Sequence, residues 1–259
     1  MLESVLRRER MVVGAGLAGL AVLAWFYLLH LASAMAEMEM HAAMGMAMPR
    51  MERWGVVDLL LLFSMWAVMM VAMMVPAAAP MILMFLTINR RRAEQGQPLV
   101  RTGIFLLAYV VVWSAFSAGA TLLQWGLHAT ALLSPMMVST SPVLGGALLI
   151  AAGAFQWTPL KARCLMNCRS PLSFLMTAWR DGAGGAFVMG LHHGAYCVGC
   201  CWLLMALLFV AGVMNLVWVA AIAAFVLVEK VLPGGDRISR IAGALLVVAG
   251  TVLVLRPAL

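Results

Sequence analysis

Residues 184–214 read GGAFVMGLHHGAYCVGCCWLLMALLFVAGVM, an apolar run that contains no Asp, Glu, Lys or Arg. A helix needs about 20 predominantly apolar residues to cross the hydrocarbon core of a bilayer, so this run predicts a transmembrane helix over 184–213. Such a helix would be about 45 Å long at about 1.5 Å per residue, which exceeds the thickness of the core. We therefore expect it to tilt, to kink among its glycines, or to begin outside the membrane.

The whole chain shares this apolar character. Of its 259 residues, 65% are hydrophobic and 10% are charged, and the mean hydropathy is +1.02. Soluble domains are about 45–50% apolar and about 25% charged, so a soluble core could not bury this much apolar surface. The composition therefore predicts an all-α fold: a single integral membrane domain over 1–259, built as a polytopic transmembrane helix bundle.

About seven segments are long and apolar enough to be spans. They are 11–33, 56–76 with a continuation toward 88, 102–127, 141–160, 184–213, 215–232 and 238–255. With a cytoplasmic N-terminus, all of the 17 Lys and Arg residues except Arg50, Arg53 and Arg256 fall on cytoplasmic segments. The positive-inside rule therefore predicts that orientation, in a multi-pass protein of the bacterial inner (cytoplasmic) membrane. The net charge of +7 follows from this asymmetry, so no nucleic-acid partner is expected.

The first span, 11–33, has the flanks of a secretory signal peptide. RRER precedes the apolar run, and Ala32-Ser33-Ala34 resembles a cleavage site. The apolar run of about 20 residues is longer than the roughly 7–15 residues usual in such a peptide. We therefore expect the first span to remain as an uncleaved anchor.

Residues 35–51, the methionine-rich loop, read MAEMEMHAAMGMAMPRM and contain no Leu, Ile or Val. Thioether sulfurs are soft ligands that select Cu(I), and imidazole tolerates either oxidation state of copper. The topology places this loop on the periplasmic or extracellular side, where a flexible strand would let several sulfurs converge on one ion. An amphipathic interfacial segment in which methionine replaces leucine is the alternative. The candidate ligands are Met38, Met40, His41, Met44, Met46 and Met48.

Span two continues the use of methionine in MWAVMMVAMMVPAAAPM (65–81). Met65, Met69 and Met73 recur every four residues and share one helical face. This pattern is compatible with adaptable packing or with a relay for a soft metal. Pro76 and Pro80 each lack a backbone donor, so we expect the helix to break or kink there.

Helical spacing joins the His and Cys residues of 184–213 into one stripe, in which potential soft-metal ligands recur every four residues. Polar groups in mid-membrane face the protein interior because facing lipid is costly, so the stripe should face the bundle. Gly190, Gly194 and Gly199 narrow the helix and predict the close approach of a second helix. The candidate metal ligands are Met189, His193, Cys197, Cys201 and Met205 in the stripe, Cys200 beside it, and His192 on the adjoining face.

A second cluster, Cys164-x-x-x-Cys168, follows span four in QWTPLKARCLMNCRSPL. The topology places it at the cytoplasmic end of that span, where thiols remain reduced. A spacing of four puts both sulfurs on one face of a helix. A soft metal is the favoured ligand, and structural zinc is the alternative.

Several segments resemble the DUF2182 family of predicted metal-binding integral membrane proteins. They are MMVAMMVPAAAPM, FQWTPLKARCLMNCRSPLSFL, WRDG, GGAFVMGLHHGAYCVGCCWLLM, GVMNLVW and EKVLPGGDRISRIAG, in this order. The resemblance covers about 56–255 and leaves out the methionine-rich loop. It implies metal binding without an established reaction. It also implies a signature of Cys164, Cys168, His193, Cys197, Cys200 and Cys201.

We hypothesise from these features a Cu(I)-binding integral membrane protein that captures, relays or delivers copper. The methionine-rich loop would capture the ion, the stripe would hold it, and Cys164 and Cys168 would form the cytoplasmic exit. The expected partners are the lipid bilayer, the metal ion, and a copper chaperone, a cuproenzyme or a larger membrane complex. Zinc or another metal is the alternative ion.

Two other functions stay open. One is a membrane thiol–disulfide oxidoreductase that uses Cys197 and Cys200, and the other is a metal-binding accessory or assembly subunit of a membrane complex. A non-enzymatic role is favoured, and no residue is assigned as catalytic. Glu229 and Lys230, at the inner end of span 215–232, are interpreted as an interfacial anchor.

Overall fold

The computed structural model describes residues 2–43, 55–130 and 141–255, and every regular element within these ranges is a helix. The prediction of an all-α bundle is therefore confirmed. The helices are α1 (Leu2–Ala43), α2 (Val56–Glu94), α3 (Thr102–Ala129), α4 (Pro142–Phe155), α5 (Pro159–Arg169), α6 (Pro171–Ala178), α7 (Gly182–Ala206), α8 (Leu208–Ala211), α9 (Leu216–Val231) and α10 (Gly235–Leu255).

Five helical segments of the described chain are long and apolar enough to cross a membrane. They are Glu3–Glu37, Val56–Glu94, Thr102–Ala129, Gly182–Ala211 and Gly235–Leu255. The pair α4 and α5, bent by 65°, makes a sixth if it is counted as one span. Helix α9 covers the predicted span 215–232 but has only 16 residues, fewer than the roughly 20 needed to cross the hydrocarbon. The predicted bundle thus has five or six such spans, close to the expected seven.

The methionine-rich loop lies only partly within the described residues. The backbone of α1 remains helical through Ala43, so the flexible strand predicted for Met38, Met40 and His41 is wrong. Alanine, methionine and glutamate are strong helix formers, and they continue the first helix beyond its apolar span. Met44, Met46 and Met48 lie outside the described residues.

Helix α2 runs without a break through Pro76 and Pro80 over 39 residues. The predicted break is therefore wrong, because α1, α3 and α9 pack along the helix and support it on several sides. Membrane helices tolerate proline where neighbouring helices satisfy the backbone groups that it frees. All six methionines of 65–81 are buried, so this helix places a column of thioethers inside the bundle.

The chain bends sharply between α4 and α5, where Thr158 and Pro159 begin a new helix. The Thr158 hydroxyl accepts a hydrogen bond from Lys161 N at 3.3 Å, and Pro159 occupies the first turn, as is usual at helix starts. The bend of 65° lays α5 against α7. It thereby brings the second cysteine cluster to the stripe.

Helices α4 and α10 pack closely through paired glycines. A Cβ on Gly153 would lie 2.6 Å from the Gly243 carbonyl oxygen, and one on Gly250 would lie 2.7 Å from the Gly146 carbonyl oxygen. Small residues at such crossings let two membrane helices approach backbone to backbone. The backbones of α4 and α10 are therefore so close that one added methyl group would disturb their packing.

Gly153→Ala should destabilise the protein by about 1–3 kcal/mol, because the new methyl group overpacks this contact. Gly119→Ala is the matched control, since nothing lies within 4 Å of a Cβ at Gly119 in α3. The control should raise stability by up to about 1 kcal/mol, as alanine favours helix over glycine. Thermal unfolding in detergent measures both, and equal shifts of the same sign would contradict this packing.

Candidate metal centre

The stripe on α7 faces the interior of the bundle, as predicted. Its members and the neighbouring Cys200 are at most 2% exposed. The three glycines bring other helices close: a Cβ on Gly190 would meet the Phe105 carbonyl of α3, and one on Gly194 would meet Val112. The buried residues are Met189, His193, Cys197, Cys200, Cys201 and Met205.

The Cys197 sulfur of α7 contacts side chains of α9 and α3, and the α3 side chain links it to α2. Lys230 Nζ of α9 donates a hydrogen bond to it at 2.8 Å. The Tyr109 hydroxyl of α3 lies 3.1 Å away and also donates to the Met74 carbonyl of α2 at 3.1 Å. A sulfur that receives an ammonium at this distance inside an apolar bundle is in surroundings that favour negative charge.

Cys201 adds a second thiol and brings a thioether next to it. Its Sγ lies 4.0 Å from the Met74 Sδ. The Cys200 and Cys201 thiols donate to the Cys197 carbonyl oxygen at 3.1 and 2.9 Å. Three soft sulfur donors, Cys197, Cys201 and Met74, therefore lie on the facing sides of α7 and α2.

The cysteines of α5 join the same cluster. Cys168 is buried on α5, the helix that packs against α7. A Cβ on Gly199 would lie 2.8 Å from the Cys164 Sγ, so the absence of a side chain at Gly199 admits α5. The bend after α4 thus brings this cysteine pair to α7. We call the five cysteines and Met74 the thiol cluster.

His193 lies in an aromatic enclosure beside the thiol cluster. Its ring stacks on Tyr109 at 5.5 Å and on Phe105 at 6.0 Å between centroids, and Phe174 lies tilted at 5.9 Å. Its Nδ1 is buried and has no hydrogen-bond partner among the described residues. This nitrogen is a soft donor held at the edge of the cluster.

His192, the other histidine predicted as a ligand, does not face the thiol cluster. His192 is exposed on α7, as is Tyr196 at 37%. Residues one position apart on a helix face directions about 100° apart, so burying His193 turns His192 outward. The structure therefore does not bring His192 to the thiol cluster.

The thiol cluster is packed and reduced. All five cysteines are free. Within 2–43, 55–130 and 141–255, no three His, Cys, Asp or Glu side chains form a ready-made metal cage. The Cys200 and Cys201 thiols instead donate to the Cys197 carbonyl oxygen, so a bound ion would have to displace these hydrogen bonds.

Glu229 and Lys230 are buried, at 0% and 7% exposure, so their interpretation as an interfacial anchor is wrong. Glu229 Oε1 pairs with Lys161 Nζ at 2.6 Å and receives the Ser239 hydroxyl of α10. Lys161, which the predicted topology placed on a cytoplasmic segment, is 1% exposed. Helical periodicity could have predicted the burial of Glu229, because this residue continues the buried face formed by Val219, Ile222 and Val226.

The residues just before α7 are bonded to the last turn of α2. Trp179 Nε1 donates to Asp181 Oδ1 at 2.8 Å, and Arg92 donates to the same oxygen at 3.1 Å. The Trp179 hydrogen bond and then the Arg92 contacts hold the pKa of Asp181 below its usual value. The guanidinium of Arg92 also lies 4.9 Å over the Trp179 ring. These contacts set the register of α7 against the helix that supplies Met74.

A family model described as PpoB2, copper chaperone, matches residues 63–253. The match includes every member of the thiol cluster together with His193, Tyr109 and Lys230, and it leaves out all of α1 and the first residues of α2. It supports a copper-related family over the region that resembles DUF2182 and does not itself bear on that family name. Comparisons with curated proteins and with solved structures find no match.

Lys161→Met should destabilise the protein by about 3–5 kcal/mol, because it leaves the Glu229 carboxylate buried without its partner. Lys161→Met combined with Glu229→Gln should recover most of that loss, since no unpaired charge remains. The midpoint of thermal unfolding in detergent measures both variants. A double variant no more stable than the single one would mean that Lys161 contributes packing and not charge pairing.

Proposed function

The chain belongs to the PpoB2 family of copper chaperones, and from this membership we propose that it holds Cu(I) inside its helix bundle and passes it on. The observation that carries the proposal is the thiol cluster: five buried thiols and one thioether contributed by α2, α5 and α7. Thiolate and thioether sulfur are the donors that select Cu(I) among the common metal ions. Zinc, which prefers four-coordinate sites, is the less favoured ion.

The first binding position is Cys197 with Cys201, and Met74 is the third donor. The 4.0 Å between Cys201 Sγ and Met74 Sδ supports this choice, since both sulfurs already face one another. His193 is a further donor within the stripe through its free Nδ1. Met189 lies one turn before His193 on the same buried face of α7, and Met205 lies one turn after Cys201.

Lys230 balances the charge of the loaded site. Two thiolates and one Cu(I) carry a net charge of −1, which is costly to bury unless a cation is paired with it. The Lys230 ammonium at 2.8 Å from Cys197 Sγ supplies that cation. The loaded cluster then has no net charge, and a neutral group is less costly to bury in an apolar bundle than a charged one.

Cys168 and Cys164 provide the next positions along the path of the ion. Cys164 Sγ lies against Gly199 of α7, and Cys168 is buried one turn farther along α5. Cu(I) would therefore pass from the thiolates of α7 to those of α5. In the predicted topology α5 lies toward the cytoplasm. The ion would therefore move from the methionine-rich loop on the periplasmic side, through the bundle, to a chaperone or cuproenzyme partner.

The thiol–disulfide alternative has less support. Redox-active thiols require contact with a substrate disulfide, and both Cys197 and Cys200 have 0% exposure. A small ion can reach them through side-chain motions that would not admit a protein substrate. The cluster therefore favours an ion over a dithiol reaction.

The test is retention of Cu(I) by reduced, purified protein against a competing Cu(I) chelator. Cys197→Ala combined with Cys201→Ala should lower the apparent affinity by at least about a hundredfold, since loss of supporting groups alone typically costs about 10–100-fold. Lys230→Met should lower it by a smaller factor, because the sulfur ligands remain while the paired cation is lost.

His192→Ala is the matched control, because this exposed histidine belongs to the same helix and lies outside the cluster. It should retain copper like the unmodified protein. Thermal unfolding before loading verifies that each variant is folded. Unchanged retention in a folded Cys197/Cys201 variant would overturn the proposal, and equal loss in His192→Ala would place the site on another face of α7.

A further inference from the structure

A basic cavity lies between the first turns of α1 and the last turns of α2. Its volume is about 480 Å³, and Arg7, Arg10 and Arg91 line it together with Glu3. Within the described part of the chain, these three arginines form no ion pair, whereas the adjacent Arg90 pairs with Glu9 at 3.0 Å. Three guanidinium groups facing one carboxylate leave the cavity with an excess of positive charge.

The remaining wall of this cavity is apolar except for Thr87. Leu6, Met11 and Leu83 line it, and the helix surface continues outward from it through Met11 at 60% exposure and Val12 at 66%. A ligand that fits here therefore has a phosphate or similar anionic group at one end and an apolar chain at the other.

The cavity lies where the apolar part of each helix meets its arginines. In α1 the apolar run begins at Met11, directly after Arg10, and in α2 it ends before Arg90. This is the depth at which lipid phosphates lie, and basic pockets between membrane helices at that depth bind anionic headgroups. Arginine suits the role because its planar fork binds two phosphate oxygens at once.

We propose that this cavity binds the phosphate headgroup of an anionic phospholipid, with the acyl chains along the exposed apolar faces of α1 and α2. The site is separate from the thiol cluster and does not depend on the copper proposal. A bound lipid would stabilise the α1–α2 pair, because a ligand that binds only the folded state raises its stability.

The experiment titrates the full-length protein in a neutral detergent with phosphatidylglycerol and follows the thermal unfolding midpoint. The lipid should raise the midpoint of the unmodified protein, and Arg7→Gln/Arg10→Gln/Arg91→Gln should require about tenfold more lipid or more. The matched control, Arg101→Gln/Arg237→Gln/Arg240→Gln, removes the same charge from exposed arginines outside the cavity. It should respond like the unmodified protein.

Two further arms distinguish the source of the phosphate. Phosphatidylcholine, which has no net charge, and inorganic phosphate should each give little or no shift. Equal weakening in both triple variants would overturn the proposal in favour of general surface charge. A shift with inorganic phosphate as large as that with phosphatidylglycerol would overturn the lipid assignment. Native mass spectrometry would support the proposal independently if the folded cavity variant lacked the bound lipid that the control variant carries.

Discussion

The contact between Lys230 Nζ and Cys197 Sγ, at 2.8 Å inside an apolar bundle, constrains the rest of the structure. A buried ammonium is costly unless an anionic or strongly accepting group lies next to it, so α9 must lie where its lysine reaches α7. The same sulfur contacts Tyr109 of α3, whose hydroxyl also holds the Met74 carbonyl of α2. One thiol thus ties together the helices that carry the soft donors.

A second polar network lies next to this contact on the same helix. Glu229, next to Lys230, pairs with Lys161 of α5 and contacts Ser239 of α10. Because α5 carries Cys164 and Cys168, this ion pair also helps to hold two of the five cysteines at the cluster. Two adjacent charged residues of α9, a helix of only 16 residues, therefore link it to both helices that carry the cysteines, α7 and α5.

Much of this arrangement could be predicted from the sequence, because helical periodicity is local. The spacing of His193, Cys197 and Cys201 predicted their common burial, and the glycines of α7 predicted a close neighbour. The sequence did not predict that α5 folds back, since a 65° bend depends on packing against α7 and not on the residues of the turn alone. The sequence also led to the wrong interpretation of Glu229 and Lys230 as interfacial anchors, because charges near the end of an apolar run usually face the interface.

The copper assignment combines family membership with a site whose chemistry is independent of it. Buried sulfur, a paired lysine and an enclosed imidazole suit a soft monovalent ion, and in the proposal transfer would proceed by successive exchange of one sulfur for another. The most direct measurement is X-ray absorption at the copper K edge of the reduced, Cu(I)-loaded protein. The account predicts a first shell dominated by sulfur that is lost when Cys197 and Cys201 are both replaced by alanine. A first shell of nitrogen and oxygen, or a sulfur shell unchanged by that replacement, would contradict it.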